Sequence, residues 1–297
     1  MTTTTTKPKH GLAAGDYQPP SADWTIDQGW DRYTAAEHAT WKTLFERQSR
    51  LLPGRACDDF LSGLKDLPLR HDEIPHFEQL SDVLEKRTGW RVVAVPGLVP
   101  DEVFFDHLAN RRFPAGQFIR KPDQLDYLEE PDVFHDVFGH APMLMNPVMA
   151  EFIQAYGKGG LRAQQLGVLD QLARVYWYTV EFGLVQQTDG LRIYGAGIVS
   201  SATESVFALE DTSPNRIGFD LERVMRTRYR IDDFQESYFV LHGLDELLAL
   251  AQIEFKPYYE RVSAAPTLVP GDVLPTDEVF ARGNGRYHAA KRGKEPV

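Results

Sequence analysis

The chain has 297 residues, 42% hydrophobic and 25% charged, which suits one large domain or two small ones with a sizeable core. Its 32 basic residues are outnumbered by 43 acidic ones, and a net charge of −11 lacks the footprint of a nucleic-acid binder and directs attention to a small-molecule partner. The single cysteine, Cys57, excludes an internal disulfide and a zinc-thiolate cluster, and no run approaches the ~18 apolar residues of a membrane span, so a cytoplasmic protein is expected.

Residues 1–22 are rich in Thr, Pro and Gly and read as a disordered tail. From Trp24 the texture changes. "YTAAEHATWKTLFERQSRLL" repeats apolar residues at helical spacing, with Thr34 as its N-cap. "CDDFLSGLKDL" and "HFEQLSDVLEKRTGW" predict two further helices. A β-rich run, Arg91 to Val95, ends at Pro96-Gly97. "DEVFFDHLANRRF" returns to helical pattern with Asp101 as the cap. After a histidine-bearing stretch come a Gly-rich "YGKGGLRAQQLG" and a long apolar segment, "VLDQLARVYWYTVEFGLV". "LRIYGAGIVSS" predicts a strand and turn, "SATESVFALED" and "FDLERVMRT" predict helices, and "ESYFVLHGLDELLALAQI" predicts an extended start followed by a helix. The pattern fades after Phe255. The expectation is a mainly α chain with a few short β-strands, a single domain over residues 23–260, and a weakly ordered C-terminal extension over 261–297.

The histidine-bearing stretch is "LEEPDVFHDVFGHAPML". Pro131 suits a first helical turn, Glu129, Glu130 and Asp132 suit its positive end, and Gly139 suits its exit, so a short helix is predicted over 131–138. On one continuous α-helix, residues five apart lie about 140° apart around the axis, so His135 and His140 would not share a face. A helix ending at Gly139 would free His140 to swing back. Asp132, three residues before His135, could bond the far nitrogen of its ring. Glu181 is the candidate third ligand, because a carboxylate in "LARVYWYTVEFGLV" is costly to bury without a metal or a cation such as Arg174. Trp177, four residues earlier, would wall the carboxylate on the same helix face. Two histidines and a carboxylate match both the facial triad of non-heme Fe(II) oxygenases and a catalytic zinc site, in which Asp136 would be the one obvious local acid for a hydrolytic base. The ligands alone leave that choice open.

"FIRKPDQLDYLEEPDVFHDVFGHAPML", then "YWYTVEFGL", then "YGAGIVSS", resemble the pterin-dependent aromatic amino acid hydroxylases, most nearly their short bacterial phenylalanine 4-hydroxylases, over about residues 25–260. The resemblance implies the catalytic domain of that family, with one Fe(II) on His135, His140 and Glu181. It implies tetrahydrobiopterin or a related tetrahydropterin and O2 as cosubstrates, and L-phenylalanine hydroxylated to L-tyrosine by electrophilic Fe(IV)=O attack. Tryptophan or tyrosine hydroxylation is the alternative within the family. By position, Arg120 corresponds to the substrate-carboxylate clamp, a task suited to a bidentate guanidinium. Trp177 and Ser200 correspond to substrate-pocket residues, and Asp132 to an acid behind the iron ligands. Tyr176 corresponds to a tyrosine near the iron. Gly97, Leu98 and Val99 correspond to backbone contacts to the pterin, Phe104 to its stacking partner, and Glu130 to an acid beside it; either Phe104 or Phe105 would be plain helix core. "GQFIR" is less aromatic than in some bacterial relatives, which bears on local pocket detail. Animal members also carry a regulatory domain and a tetramerisation helix. Here the body starts near Trp24, and the tail holds Pro266, Pro270 and Pro275 without heptads, so a monomer is expected.

Overall fold

The computed structural model describes residues 21–126 and 130–292. The expected disordered tail lies outside the described residues, except for its last two positions. Three helices open the body: α1 (Ala35–Leu51), α2 (Asp58–Asp66) and α3 (Phe77–Thr88). Thr34 caps α1 as the sequence predicts: its hydroxyl accepts from Glu37 N–H, and Glu37 reaches back to the Thr34 N–H at 2.7 Å. Strand β1 (Arg91–Val95), helix α4 (Asp101–Ala109) and strand β2 (Arg112–Gly116) then form a parallel pair with its crossover helix, in register Arg91 to Arg112. Pro100, not Asp101, occupies the N-cap of α4, and no side chain caps it.

The chain next enters a π-helical segment, Phe134–His140, which runs directly into α5 (Ala141–Leu144) and the long α6 (Pro147–Leu166). The Gly-rich stretch lies inside α6. Two of its glycines admit α4: a Cβ on Gly157 would stand 2.4 Å from the Ala109 nitrogen, and one on Gly160 would stand 2.1 Å from the Phe105 ring. The contact brings two helices together across small residues, and the loss of helix propensity is offset by their packing. Helix α7 (Leu169–Tyr176) passes into a second π-helical turn, Trp177–Glu181.

The remaining elements are β3 (Leu184–Gln187), β4 (Gly190–Ile193), α8 (Ala196–Val199), α9 (Ala202–Glu210), β5 (Asn215–Gly218), α10 (Leu221–Arg226), β6 (Ser237–Leu241), α11 (Asp245–Ala251), α12 (Lys256–Ala264), β7 (Val279–Ala281) and α13 (Arg286–Arg292). Five strands make a mixed sheet in the order β4-β3-β6-β5-β7. One contiguous core runs through the body, with Trp41, Phe60, Trp90, Phe134, Phe138, Tyr178 and Phe239 at 2% exposure or less. Among the described residues no helix is long and apolar enough to cross a membrane.

The stretch expected to be weakly ordered after residue 260 differs from expectation over its described part. It supplies β7 to the sheet edge, and its polar residues are used in fastening it. Arg223 donates to Asp277 at 2.9 Å in a pair almost fully removed from water, and to the Asp272 carbonyl at 2.6 Å. Tyr287 packs on Phe207 and Phe234, and the His288 ring contacts the Phe234 carbonyl at 2.8 Å. Polar composition hides such a segment from hydrophobic periodicity, because the contacts that hold it are charged and aromatic.

Glu204 of α9 is buried with one oxygen accepting the Tyr238 hydroxyl at 2.7 Å and the Gln235 N–H at 3.4 Å. Burial raises its carboxyl from an ordinary 4.5 to about 7. The folded chain therefore keeps a proton that the unfolded chain has lost, and stability falls as pH rises from about 4.5 through about 7. Glu204→Gln is expected to remove that loss. At pH 8 it should raise unfolding free energy by on the order of 3 kcal/mol, and at pH 4.5 by little. Melting temperatures of both chains across that pH range check it.

Candidate metal centre

Both π-helical segments lie at the centre of the site. An ordinary α-turn would set His135 and His140 on different faces, and the sequence reading resolved this by ending the helix at Gly139. The structure corrects that reading: the helix does not end there. Wider turns closed by i→i+5 bonds put residues five apart onto one face, so the spacing itself pairs the histidines. Gly139 has another task. A Cβ on it would stand 3.0 Å from the Ala196 carbonyl, so the glycine admits α8 against the histidine segment.

The second π-turn acts in the same way on Glu181. The Phe182 N–H bonds the Trp177 carbonyl at 2.8 Å, five residues back. Tyr176, five before Glu181, is thereby brought beside the carboxylate, with its ring 6.3 Å from that of His140. Trp177, expected to share the Glu181 face, packs its indole on Tyr229, stacked at 4.2 Å, and on Phe182 at 4.8 Å.

The three candidate ligands converge. His140 Nε2 stands 3.1 Å from Glu181 Oε1, His135 Nε2 stands 3.5 Å from Glu181 Oε2, and the two Nε2 atoms are 3.3 Å apart. Bonds of about 2.1 Å to one ion would set donor atoms ~3.0 Å apart at right angles and ~3.4 Å apart in a tetrahedron. The three separations span both geometries, so the donor set can hold a metal without selecting it. Arg174, the alternative partner for Glu181, donates to the Met225 carbonyl at 2.8 Å.

Protonation is set for ligation. Burial lowers His135 to about 4, which leaves the ring neutral near pH 7. Burial acts to raise Glu181, but His140 and His135 outweigh it and hold the carboxyl below its ordinary value. Ser200 fixes the tautomer of His135. Its hydroxyl donates to the Ala196 carbonyl at 2.8 Å, so its lone pair must accept the His135 Nδ1 proton at 2.9 Å. The Nε2 lone pair is left facing Glu181 and His140. Ser200→Ala is expected to lower ferrous-iron affinity by about 10- to 100-fold, with the iron-free fold little changed, as read by iron titration and thermal melting.

Asp132 does not reach the far nitrogen of the His135 ring, contrary to the sequence reading. Its Oδ1 accepts the backbone N–H of His135 at 3.1 Å and the Arg120 Nη2 at 2.8 Å. Its Oδ2 accepts the Arg120 backbone N–H at 2.8 Å and Nε at 2.9 Å. Burial acts to raise this carboxyl, and the Arg120 guanidinium outweighs it and lowers it. Arg120 is itself only 8% exposed. Its Nε–Nη2 edge grips Asp132, while Nη1 makes a 3.4 Å contact to the Leu125 carbonyl. One N–H on each terminal nitrogen remains to form a second fork. Asp136, the acid weighed as a hydrolytic base, accepts the Gly116 N–H at 2.7 Å.

The loop after β1 lies beside Glu130, whose Oε1 accepts the Leu98 N–H at 3.2 Å. A Cβ on Gly97 would come 2.6 Å from that same oxygen, so the close approach requires glycine. Leu98 is 70% exposed. Phe104 stands edge-on to Tyr176 at 5.9 Å and is half-buried, while Phe105 is the core phenylalanine of the pair. Val99 lies between Leu98 and α4. Sequence reasoning missed Ala196, which holds Ser200, and Tyr229 and Gln235, which hold Trp177, and it read Gly139 as a helix end and not as the contact with Ala196.

A family described as "Biopterin-dependent aromatic amino acid hydroxylase" matches residues 30–263. Phenylalanine-4-hydroxylase of Caulobacter vibrioides is 61% identical, over 94% of this chain and 95% of the relative. That of Ralstonia nicotianae is 58% identical, over 95% and 90%. The iron- and phenylalanine-bound crystal structure of phenylalanine hydroxylase from Chromobacterium violaceum superposes with a TM-score of 0.84 at 53% identity, covering 88% of this chain and 95% of that one. With a mainly α catalytic fold, a His-His-Glu donor set and relatives of this identity over nearly the whole chain, the protein belongs to the biopterin-dependent aromatic amino acid hydroxylases.

Proposed function

We propose that the protein is a phenylalanine 4-monooxygenase that hydroxylates L-phenylalanine to L-tyrosine with Fe(II), a tetrahydropterin and O2. The observation that carries this reading is the convergence of His135 Nε2, His140 Nε2 and Glu181 within 3.5 Å of one another in a chain of this family. Iron and tetrahydropterin, when bound, supply the reduction of O2, two electrons coming from the pterin and two from the amino acid. His135, His140 and Glu181 would hold the iron, and two imidazoles with one carboxylate leave coordination positions open.

The remaining roles follow from what each side chain offers. Arg120 presents its second fork to the substrate carboxylate, with Asp132 keeping the guanidinium in place. Trp177 forms an aromatic wall for the substrate ring. Ser200 keeps the His135 nitrogen turned inward. On the pterin side, Gly97, Leu98 and Val99 offer backbone groups and Phe104 an aromatic face. Glu130 holds the loop through Leu98 and can accept from pterin N–H groups. Tyr176 fills the space beside Glu181 and His140, and its ring excludes water there.

This reading places residues 23–260 as the catalytic unit. The single cysteine and the acidic, span-free sequence support a cytoplasmic location, and the absence of heptads after Phe255 supports a monomer. Incubation with Fe(II), tetrahydropterin and phenylalanine should give tyrosine, while Zn(II) should give none. Preferential turnover of tryptophan would overturn the substrate assignment, and pterin-independent activity with zinc would overturn the reaction class.

A further inference from the structure

Gln235 lies just before β6 and is 1% exposed. A buried amide with both ends satisfied has one allowed orientation, and here the neighbours fix it. Its Oε1 accepts the Trp177 indole N–H at 3.0 Å and the Arg230 backbone N–H at 3.3 Å. Its Nε2 donates to the Arg230 carbonyl at 2.8 Å. The reverse orientation would set an NH2 group against two N–H donors. The Gln235 backbone N–H is in turn held by Glu204 at 3.4 Å, on the same oxygen that accepts the Tyr238 hydroxyl of β6.

One side chain therefore joins three things. It is anchored next to the sheet, it grips the loop at Arg230 through both backbone groups, and it pins the Trp177 indole in its plane. Tyr229, adjacent to Arg230, stacks on that indole at 4.2 Å and 16°. Without the amide, the indole would keep its stacking partner, but both rings could turn together, because nothing else fixes the N–H edge among the described hydrogen bonds.

We infer that Gln235 is a positioning residue for the aromatic substrate. Holding the Trp177 indole and the Arg230 backbone with one amide, it fixes the wall against which the substrate ring lies. It thereby sets which ring is accepted and how fully pterin oxidation is converted to amino acid hydroxylation. The inference rests on the reading that Trp177 lines the substrate pocket. A residue that only fastened the 229–235 loop would change stability and leave those two properties alone.

The test uses the iron-loaded enzyme and the variants Gln235→Leu, Gln235→Met, Trp177→Phe and Trp177→Phe/Gln235→Leu. Kinetics with phenylalanine and with tryptophan are measured, together with tyrosine formed per tetrahydropterin consumed. Met is included because its flexible chain fills the amide's space if the leucine variant does not fold. Expected results are full iron loading, a KM for phenylalanine raised about fivefold by loss of the buried bond, and an altered phenylalanine-to-tryptophan preference. Tyrosine per pterin should fall while pterin oxidation continues. The double variant should be no worse than Trp177→Phe, because Gln235 acts through the indole. Unchanged KM and coupling in the Gln235 variants, with Trp177→Phe impaired, would overturn the inference alone. Additive effects in the double variant would also overturn it. A Trp177→Phe enzyme with normal KM and coupling would remove Trp177 from the substrate pocket, and the inference would fall with that placement.

Discussion

Glu181→Gln is expected to abolish tyrosine formation and to weaken ferrous-iron binding by about 100-fold or more, beyond the 10- to 100-fold range of changes to groups behind the ligands. The substitution preserves shape while removing the one negative charge among the three donors. Glutamine offers a neutral oxygen where Glu181 Oε1 now stands 3.1 Å from His140 Nε2 and Oε2 stands 3.5 Å from His135 Nε2. A divalent cation then meets no compensating anion among its ligands. Side-chain volume is unchanged, so the iron-free melting temperature should stay close to that of the unaltered chain. Iron content after purification, ferrous-iron titration and tyrosine assay read the three consequences separately. Iron loading equal to that of the unaltered chain would remove Glu181 from the donor set.

The candidate ligands could be found from the sequence because their types are expensive in apolar surroundings. Glu181 stands out in an aromatic run, and Asp132 and Arg120 stand out once both are placed near the histidines. The manner in which the chain brings the ligands together could not be read. A π-turn differs from an α-turn by one residue per closure, and side-chain periodicity is too coarse to register that over seven residues. The consequence is a misplaced explanation for Gly139, although the donor atoms of His135, His140 and Glu181 do converge. Ser200 is placed in the substrate pocket by resemblance, but its action on His135 depends on the Ala196 carbonyl, whose direction is set by α8. Gln235 gave no signal at all. Glutamine in a polar loop is unremarkable until a tryptophan 58 residues away donates to it. The elements themselves were more legible, because Thr34, the Arg91–Val95 run and the amphipathic helices carry local signals; the C-terminal extension was not, because Arg223 and Asp277 lie 54 residues apart and pair only in the folded chain.

The second large effect concerns Arg120 and Asp132, where stability and substrate binding can be separated. Arg120→Ala should raise the KM for phenylalanine about 100-fold, the expected loss for a charge-assisted bidentate contact of about 3 kcal/mol. The same substitution leaves Asp132 fully buried with its cation gone, which should cost about 3–5 kcal/mol of stability. Asp132→Ala is expected to destabilise comparably, because it strands the guanidinium and removes the acceptor for the His135 backbone N–H. A double Arg120→Ala/Asp132→Ala chain has neither stranded charge, so its melting temperature should recover part of the loss. Its KM for phenylalanine should not recover, since the fork is still missing. Arg120→Lys supplies a further contrast: the charge near Asp132 survives while the second fork does not, so stability should be lost less than KM. If the double variant regained normal KM along with its stability, Arg120 would be a structural partner of Asp132 alone, and the substrate carboxylate would have to be held elsewhere.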